Sequence, residues 1–379
     1  MKIAFVFPTT YFTNEKLIWI GGTESQIYGI SESLANMGHE IYLLSNFKDK
    51  INDINTSNSK IHFVHIESYY FRDGFLGEPI SAFLFSIKAK KKLKKIKPDL
   101  IILNGRDTSY PASKLKIPKF FVTHNPDGMD FFRKFSVENN KINYIYFYYK
   151  KLLEEKVIKN CDSIIALNRQ IQNYLFERNF KNVVNIPNAI NETQYKKNPE
   201  KNFILFAGRL ERVKGIEYLI EAFNNSKDIH NFDLRIVGSG SYENKLKALT
   251  KILKIDNRVI FIPILNKSQL SHCLSNCLFF VIPSMFECMP VTSLEAMASF
   301  KPVIGSDIPG INDVITHKHD GLLFEKGNID ELKKCLEMLI ESPELREKMG
   351  KNARKTIEEK YTFDIIAQKY IELYNKIAL

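Results

Sequence analysis

The sequence predicts two α/β domains in series, each built on a doubly wound parallel sheet, and three observations lead there. Short β-rich apolar runs alternate with helical patterns along most of the chain. The alternation breaks once, at the polar, apolar-poor segment 191–202, and then starts again. A length of 379 residues with 44% hydrophobic content suits two domains with sizeable cores.

Ile3 to Phe7 is the first β-rich run. In the loop beyond it stand Gly21 and Gly22, and Thr23 with Gln26 fits a capping box ahead of Ile27, Ile30, Leu34 and Met37 at helical spacing. Two glycines at a helix entrance let a ligand reach backbone N–H groups, where an anion such as phosphate is favoured. A simple flexible loop accounts for them equally well.

Ile41 to Leu44, Ile61 to Ile66, Leu100 to Leu103, Phe120 to Thr123, Ser163 to Ala166 and Val183 to Ile186 continue the first series. His124 and Asn125 follow the carboxyl end of one of these strands, a position that favours facing a cleft, with a locally satisfied loop histidine as the alternative. The run Tyr144, Tyr146, Phe147, Tyr148 and Tyr149 is read mainly as core. Pro187-Asn188 then precedes the polar segment. The expected organisation is a domain over 1–190, a linker over 191–202, a second domain over 203–360, and a helical end over 361–379.

Phe203 to Phe206 opens the second series and leads into Gly208-Arg209-Leu210-Glu211-Arg212-Val213-Lys214-Gly215, before a helix with Ile216, Leu219, Ile220 and Phe223 on one face. Arg209 and Lys214 thus flank a strand-to-helix turn, where two cations beside the helix dipole make a credible diphosphate site; ion pairing with Glu211 is the competing explanation. Gly238-Ser239-Gly240 lacks the third glycine of a dinucleotide fingerprint and lies inside the second domain, so an oxidoreductase is poorly supported.

Leu278 to Ile282 ends in Pro283-Ser284, and two carboxylates eight residues apart follow, Glu287 and Glu295. Pro290 suits the first position of a helix that holds Glu295 in its second turn, while Glu287 falls in the preceding loop. In a parallel sheet that loop lies at the carboxyl ends of the strands, where such sheets bind ligands. Pro302 to Gly305 and Gly321 to Phe324 are late strands, and Ile366, Tyr370, Leu373, Tyr374 and Ile377 lie on one face of a last helix.

The formal charge of +11 is uneven: residues 1–190 hold 27 Lys and Arg against 18 Asp and Glu, whereas 191–379 hold 27 against 25. Lys88, Lys90, Lys91, Lys92, Lys94, Lys95 and Lys97 cluster on one predicted helix. A solvated face explains them, and so does contact with an anionic membrane; nucleic acid is the least favoured partner. Five unpatterned cysteines fit a reducing compartment, and no secretory or membrane-spanning run is evident, so a cytoplasmic location is expected.

Taken in order, Gly21-Gly22-Thr23-Glu24, His124, Pro187-Asn188, Gly208-Arg209-Leu210 with Lys214-Gly215, and the Glu287 to Glu295 pair resemble the retaining glycosyltransferases of family 4. The resemblance implies the GT-B fold: two Rossmann-like domains facing a cleft, the first binding acceptor and the second a nucleotide-sugar donor, with the last helix crossing back to the first. It further implies Arg209 and Lys214 on the diphosphate, with Gly21 and Gly22 lending amides and Asn188 also in the nucleotide site. Glu287 and the following Cys288, Met289, Pro290 and Val291 would hold the sugar, Glu295 the ribose, and His124 the sugar or acceptor. No metal or other cofactor is expected, since no Asp-x-Asp pair occurs anywhere in the chain. The implied partners are a nucleotide sugar and a hydroxyl acceptor, such as a lipid-linked glycan or polysaccharide precursor, with a peripheral membrane contact.

This chain departs from the family pattern at Cys288, at Phe300 and over 308–313, where a glycine or similar small residue, a glycine and a Gly-Gly-x-x-Glu segment are usual. Two other readings stay open: a sugar-nucleotide epimerase of the same architecture, and a membrane or nucleic-acid binding module with a vestigial site.

Overall fold

The computed structural model describes residues 1–7, 22–46, 58–67, 77–105, 108–124, 141–227 and 231–378. The chain forms two compact units: Met1–Asn188 with Phe363–Leu379, and Ala189–Thr362.

In unit 1, β1 (Lys2–Val6), β2 (Glu40–Ser45), β3 (Ile61–His65), β4 (Leu100–Asn104), β5 (Lys119–Thr123), β6 (Ser163–Ala166) and β7 (Val183–Asn185) form a parallel sheet in the order β3-β2-β1-β4-β5-β6-β7. The central strands are buried along their length, which is why they read as continuous apolar runs instead of alternating ones. Helices α1 (Gly22–Asn36), α2 (Gly77–Ile96), α3 (Tyr110–Ser113), α4 (Lys141–Lys159) and α5 (Arg169–Glu177) connect them.

Unit 2 repeats the plan with β8 (Phe203–Ala207), β9 (Asp233–Val237), β10 (Val259–Ile262), β11 (Phe280–Ile282), β12 (Val303–Ser306) and β13 (Gly321–Phe324), ordered β10-β9-β8-β11-β12-β13. Its helices are α6 (Ile216–Asn225), α7 (Glu243–Ile252), α8 (Lys267–Asn276), α9 (Val291–Ala298), α10 (Ile329–Glu341) and α11 (Pro343–Lys360). Ile216, Leu219, Ile220 and Phe223 are all fully buried, as their spacing on α6 requires.

The last helix, α12 (Phe363–Ala378), belongs to unit 1 and packs along α1. A Cβ on Gly29 would overlap the Phe363 ring, so this glycine makes room for the docked aromatic. Ser33 Oγ donates to Asp364 Oδ1 at 2.6 Å, and Tyr370 meets Phe120 of the sheet.

Three local expectations need revision. α1 begins at Gly22, so Thr23 lies inside the helix and does not head a capping box. Pro290 is the N-cap of α9, at φ −75° and ψ 115°, and Val291 is the first helical residue. Segment 191–202 packs as part of unit 2: Tyr195 is 3% exposed, and Glu200 accepts from Arg346 at 3.0 and 3.1 Å. Lys197, Asn198 and Glu200 are matched by Glu347, Ser275 and Arg346 of unit 2, so a composition that imitates a linker marks a docked edge here. Phe300 stands at φ +61°, in the left-handed region, which accounts for the glycine usual there in the resembled family.

Candidate functional site

In each unit the strand order reverses once, between β1 and β4 and between β8 and β11. Such reversals open a crevice at the carboxyl ends of the strands. Arg209, Lys214 and Glu287 follow β8 and β11, the two strands that flank the reversal in unit 2.

In unit 2, the segment after β8 carries Arg209 and Lys214, and the segment after β11 carries Glu287. Two backbone contacts bind the segments together. Met285 N donates to Val213 O at 2.8 Å, and Gly215, at φ +60°, lies so close to Pro283 that a Cβ would overlap its carbonyl oxygen. Lys214, at the end of the 3-10 turn Arg212–Lys214, thereby places Nζ 2.6 Å from Glu287 Oε1. Ser284 Oγ donates to the same oxygen at 2.8 Å. Glu287 is buried, and its charge is balanced by the ammonium and by this hydroxyl.

Arg209 is exposed, and among the described residues it has no ion-pair partner. Its loop is tied down by Gly208 N to Val237 O at 3.0 Å and Leu210 N to Ser239 O at 2.9 Å, so Gly238-Ser239-Gly240 buttresses the Arg209 loop. Glu211 has its carboxylate engaged by Ser241, whose hydroxyl and amide hold it below the ordinary carboxylate range, Arg209 adding a lesser pull. The competing Arg209–Glu211 ion pair is therefore absent among the described contacts.

Glu295 lies in the second turn of α9, and Tyr195 Oη donates to its Oε1 at 2.9 Å. Burial raises the Glu295 carboxyl, an effect opposed by the Tyr195 bond and by Lys267. Met289 and Pro290 are buried, and Val291 is half-buried. Burial, and then the neighbouring Glu287 charge, push the Cys288 thiol up to about 12, so at neutral pH it is protonated and a poor nucleophile.

Unit 1 holds the other predicted residues. Gly22 is the exposed first residue of α1, while Gly21 and Asn125 lie outside the described residues. Asn188 is buried where the first stretch of unit 1 ends. His124 follows β5, with Nε2 3.3 Å from Asn104 Oδ1 at the end of β4. Burial lowers its pKa to about 4, leaving a neutral imidazole at pH 7. Among the described residues, Asn104 Nδ2 is buried without a partner.

No group of three or more His, Cys, Asp or Glu side chains able to hold a metal occurs among the described residues. No helix there is long and apolar enough to cross a membrane.

Residues 20–194 match glycosyltransferase family 4, and residues 188–356 match the glycosyl transferases group 1. The chain is a GT-B glycosyltransferase of the family 4 type. An uncharacterized glycosyltransferase of Haemophilus influenzae is 27% identical over 360 residues, covering 92% of this chain and 95% of that protein. The N,N'-diacetylbacillosaminyl-diphospho-undecaprenol alpha-1,3-N-acetylgalactosaminyltransferase of Campylobacter jejuni is 32% identical over 178 residues, 47% of this chain and 46% of that one. In fold, the glycosyltransferase superposes on sucrose-phosphate synthase from Thermosynechococcus elongatus with a TM-score of 0.82 at 19% identity, covering 99% and 98% of the two chains.

Three features of this glycosyltransferase escaped the sequence reading. Tyr195 sat in a segment read as a linker. Gly310, at φ +87°, packs where a Cβ would overlap the carbonyl oxygens of Glu287 and Cys288, so the divergent 308–313 loop lies against the Glu287 segment. Asn104 carried the one available signal, a polar residue ending an apolar strand.

Proposed function

We propose that this glycosyltransferase moves a sugar from a nucleotide-diphosphate donor to a hydroxyl acceptor, with retention at the anomeric carbon and without a metal. The observation that carries this reading is the Lys214–Glu287 pair at the reversal between β8 and β11, with exposed Arg209 on the same loop as Lys214. Breaking a sugar–phosphate bond leaves charge on the diphosphate. Arg209 and Lys214 supply fixed cations for that charge. Glu287 accepts hydrogen bonds from sugar hydroxyls, the backbone amides that follow it donate to them, and Glu295 accepts from the ribose, with Asn188 nearby in sequence to the nucleotide-binding unit. His124, neutral at pH 7, contacts the sugar or orients the acceptor hydroxyl. In a front-face route the leaving phosphate oxygen takes the acceptor proton, so no protein nucleophile is required.

For the acceptor we propose a lipid-linked glycan or polysaccharide precursor, reached at an anionic membrane surface from the cytoplasmic side. The Campylobacter relative is named for a diphospho-undecaprenol-linked substrate. On α2, Lys91, Lys92, Lys94 and Lys95 are exposed, and so are Phe83 and Leu84 toward its other end. The test is a screen of nucleotide sugars against undecaprenyl-linked glycans, with the anomeric configuration of the product read by NMR. Product with inverted configuration, or conversion of the free nucleotide sugar without acceptor, rejects the proposal, the latter in favour of an epimerase.

A further inference from the structure

We infer that Tyr195 is a positioning residue for the nucleotide: it fixes one oxygen of Glu295 so that the other is presented to the ribose hydroxyls, an inference that rests on the ribose role proposed for Glu295. A carboxylate on a long side chain must lose rotamer freedom before it can accept from two vicinal hydroxyls. Here that ordering is built into the protein. Tyr195 Oη donates to Glu295 Oε1 at 2.9 Å, and the residue as a whole is 3% exposed, so the hydroxyl has little latitude.

The backbone behind the ring is equally constrained. Asn191 caps the 3-10 turn Glu192–Gln194 by accepting from Thr193 N at 3.2 Å and Thr193 Oγ1 at 2.7 Å. Arg354 of α11 then spans the turn and the helix that carries Glu295. Its Nη1 donates to Glu192 O at 2.7 Å, Tyr195 O at 3.4 Å and Ala298 O at 2.9 Å. One guanidinium thus holds the tyrosine segment and the end of α9 in a single register. Glu358 holds Arg354 in turn, accepting from Nε at 2.7 Å. A phenylalanine at 195 would fill the same space but leave the carboxylate without its donor.

Binding of UDP, GDP and ADP, and of their 2′,3′-dideoxy counterparts, measured by calorimetry on the full chain, tests this. Tyr195→Phe should weaken binding of the preferred ribonucleoside diphosphate about 3- to 10-fold, the loss of one hydrogen bond. It should leave affinity for the dideoxy form unchanged, because that ligand offers Glu295 nothing to accept from. Equal weakening of both ligands would show that Tyr195 only supports packing and would overturn the inference. So would unchanged ribonucleotide affinity in Tyr195→Phe when Glu295→Ala weakens it. If Glu295→Ala itself leaves ribonucleotide affinity intact, the ribose role of Glu295 fails. If no diphosphate binds the wild-type chain, the proposed function fails with it.

Discussion

Lys214 and Glu287, 73 positions apart, meet through a 2.6 Å bond from Nζ to Oε1. The contact joins the exits of two adjacent strands where the sheet order reverses, so one cation and one carboxylate share the crevice instead of lining it separately. Lys214→Ala should lower turnover about 10²- to 10³-fold, the usual cost of removing one electrostatic donor from a transferring centre. Steady-state kinetics on variants with a wild-type circular dichroism spectrum checks this. Full activity in such a variant would remove Lys214 from the mechanism.

Gly215 makes that contact possible, since it combines φ +60° with close approach to the Pro283 carbonyl. Gly215→Ala should destabilise the protein by about 1–3 kcal/mol, the range for a residue forced into a sparsely populated backbone region. It should also reduce turnover, because the added methyl pushes the Lys214 segment away from Glu287. Denaturant midpoints and kinetics on the same variant measure both effects.

His124 couples stability to pH. Its folded pKa, lowered by burial from 6.5 to about 4, lies below the unfolded value. The unfolded chain therefore binds the proton first, and this contribution is complete above about pH 6.5 and is lost as pH falls toward about 4. Thermal melts of wild type and His124→Asn should converge as pH is lowered across that window. Parallel curves would place the imidazole outside the titration.

The exposed lysines of α2 give a fourth prediction. Replacing Lys91, Lys92, Lys94 and Lys95 by Glu should abolish co-sedimentation with vesicles rich in anionic lipid at low salt, each basic residue being worth about 1 kcal/mol near such a surface. Activity toward a soluble acceptor should persist. Equal sedimentation of wild type and the charge-reversed variant would reject the surface contact.

Much of the fold was legible in the sequence because parallel strands, buried on both faces, leave unbroken apolar runs such as Leu100 to Leu103 and Phe203 to Phe206. Glu287 and Glu295 stood out for a related reason, as carboxylates beside a core strand and its following helix. What stayed hidden depends on chain segments far apart. Nothing local to Lys214 names Glu287 as its partner, and nothing local to Tyr195 distinguishes a docked tyrosine from one in a solvated connector. The helix start at Gly22 lies two residues before the position a Thr23 cap implies, and that at Val291 one residue after the expected one, because more than one neighbouring residue could serve as the cap. The 308–313 loop diverges in residue type, yet Gly310 still lies against the Glu287 backbone.

Unit 1 takes its final helix from the far side of unit 2 in the sequence. During synthesis, the groove on α1 at Gly29 must wait, bare, until the whole of unit 2 has been made and Phe363 arrives to fill it. Completion of the first unit thus waits on synthesis of the second, and a ribosome-stalled product ending at Asn188 presents an unfinished apolar surface to chaperones.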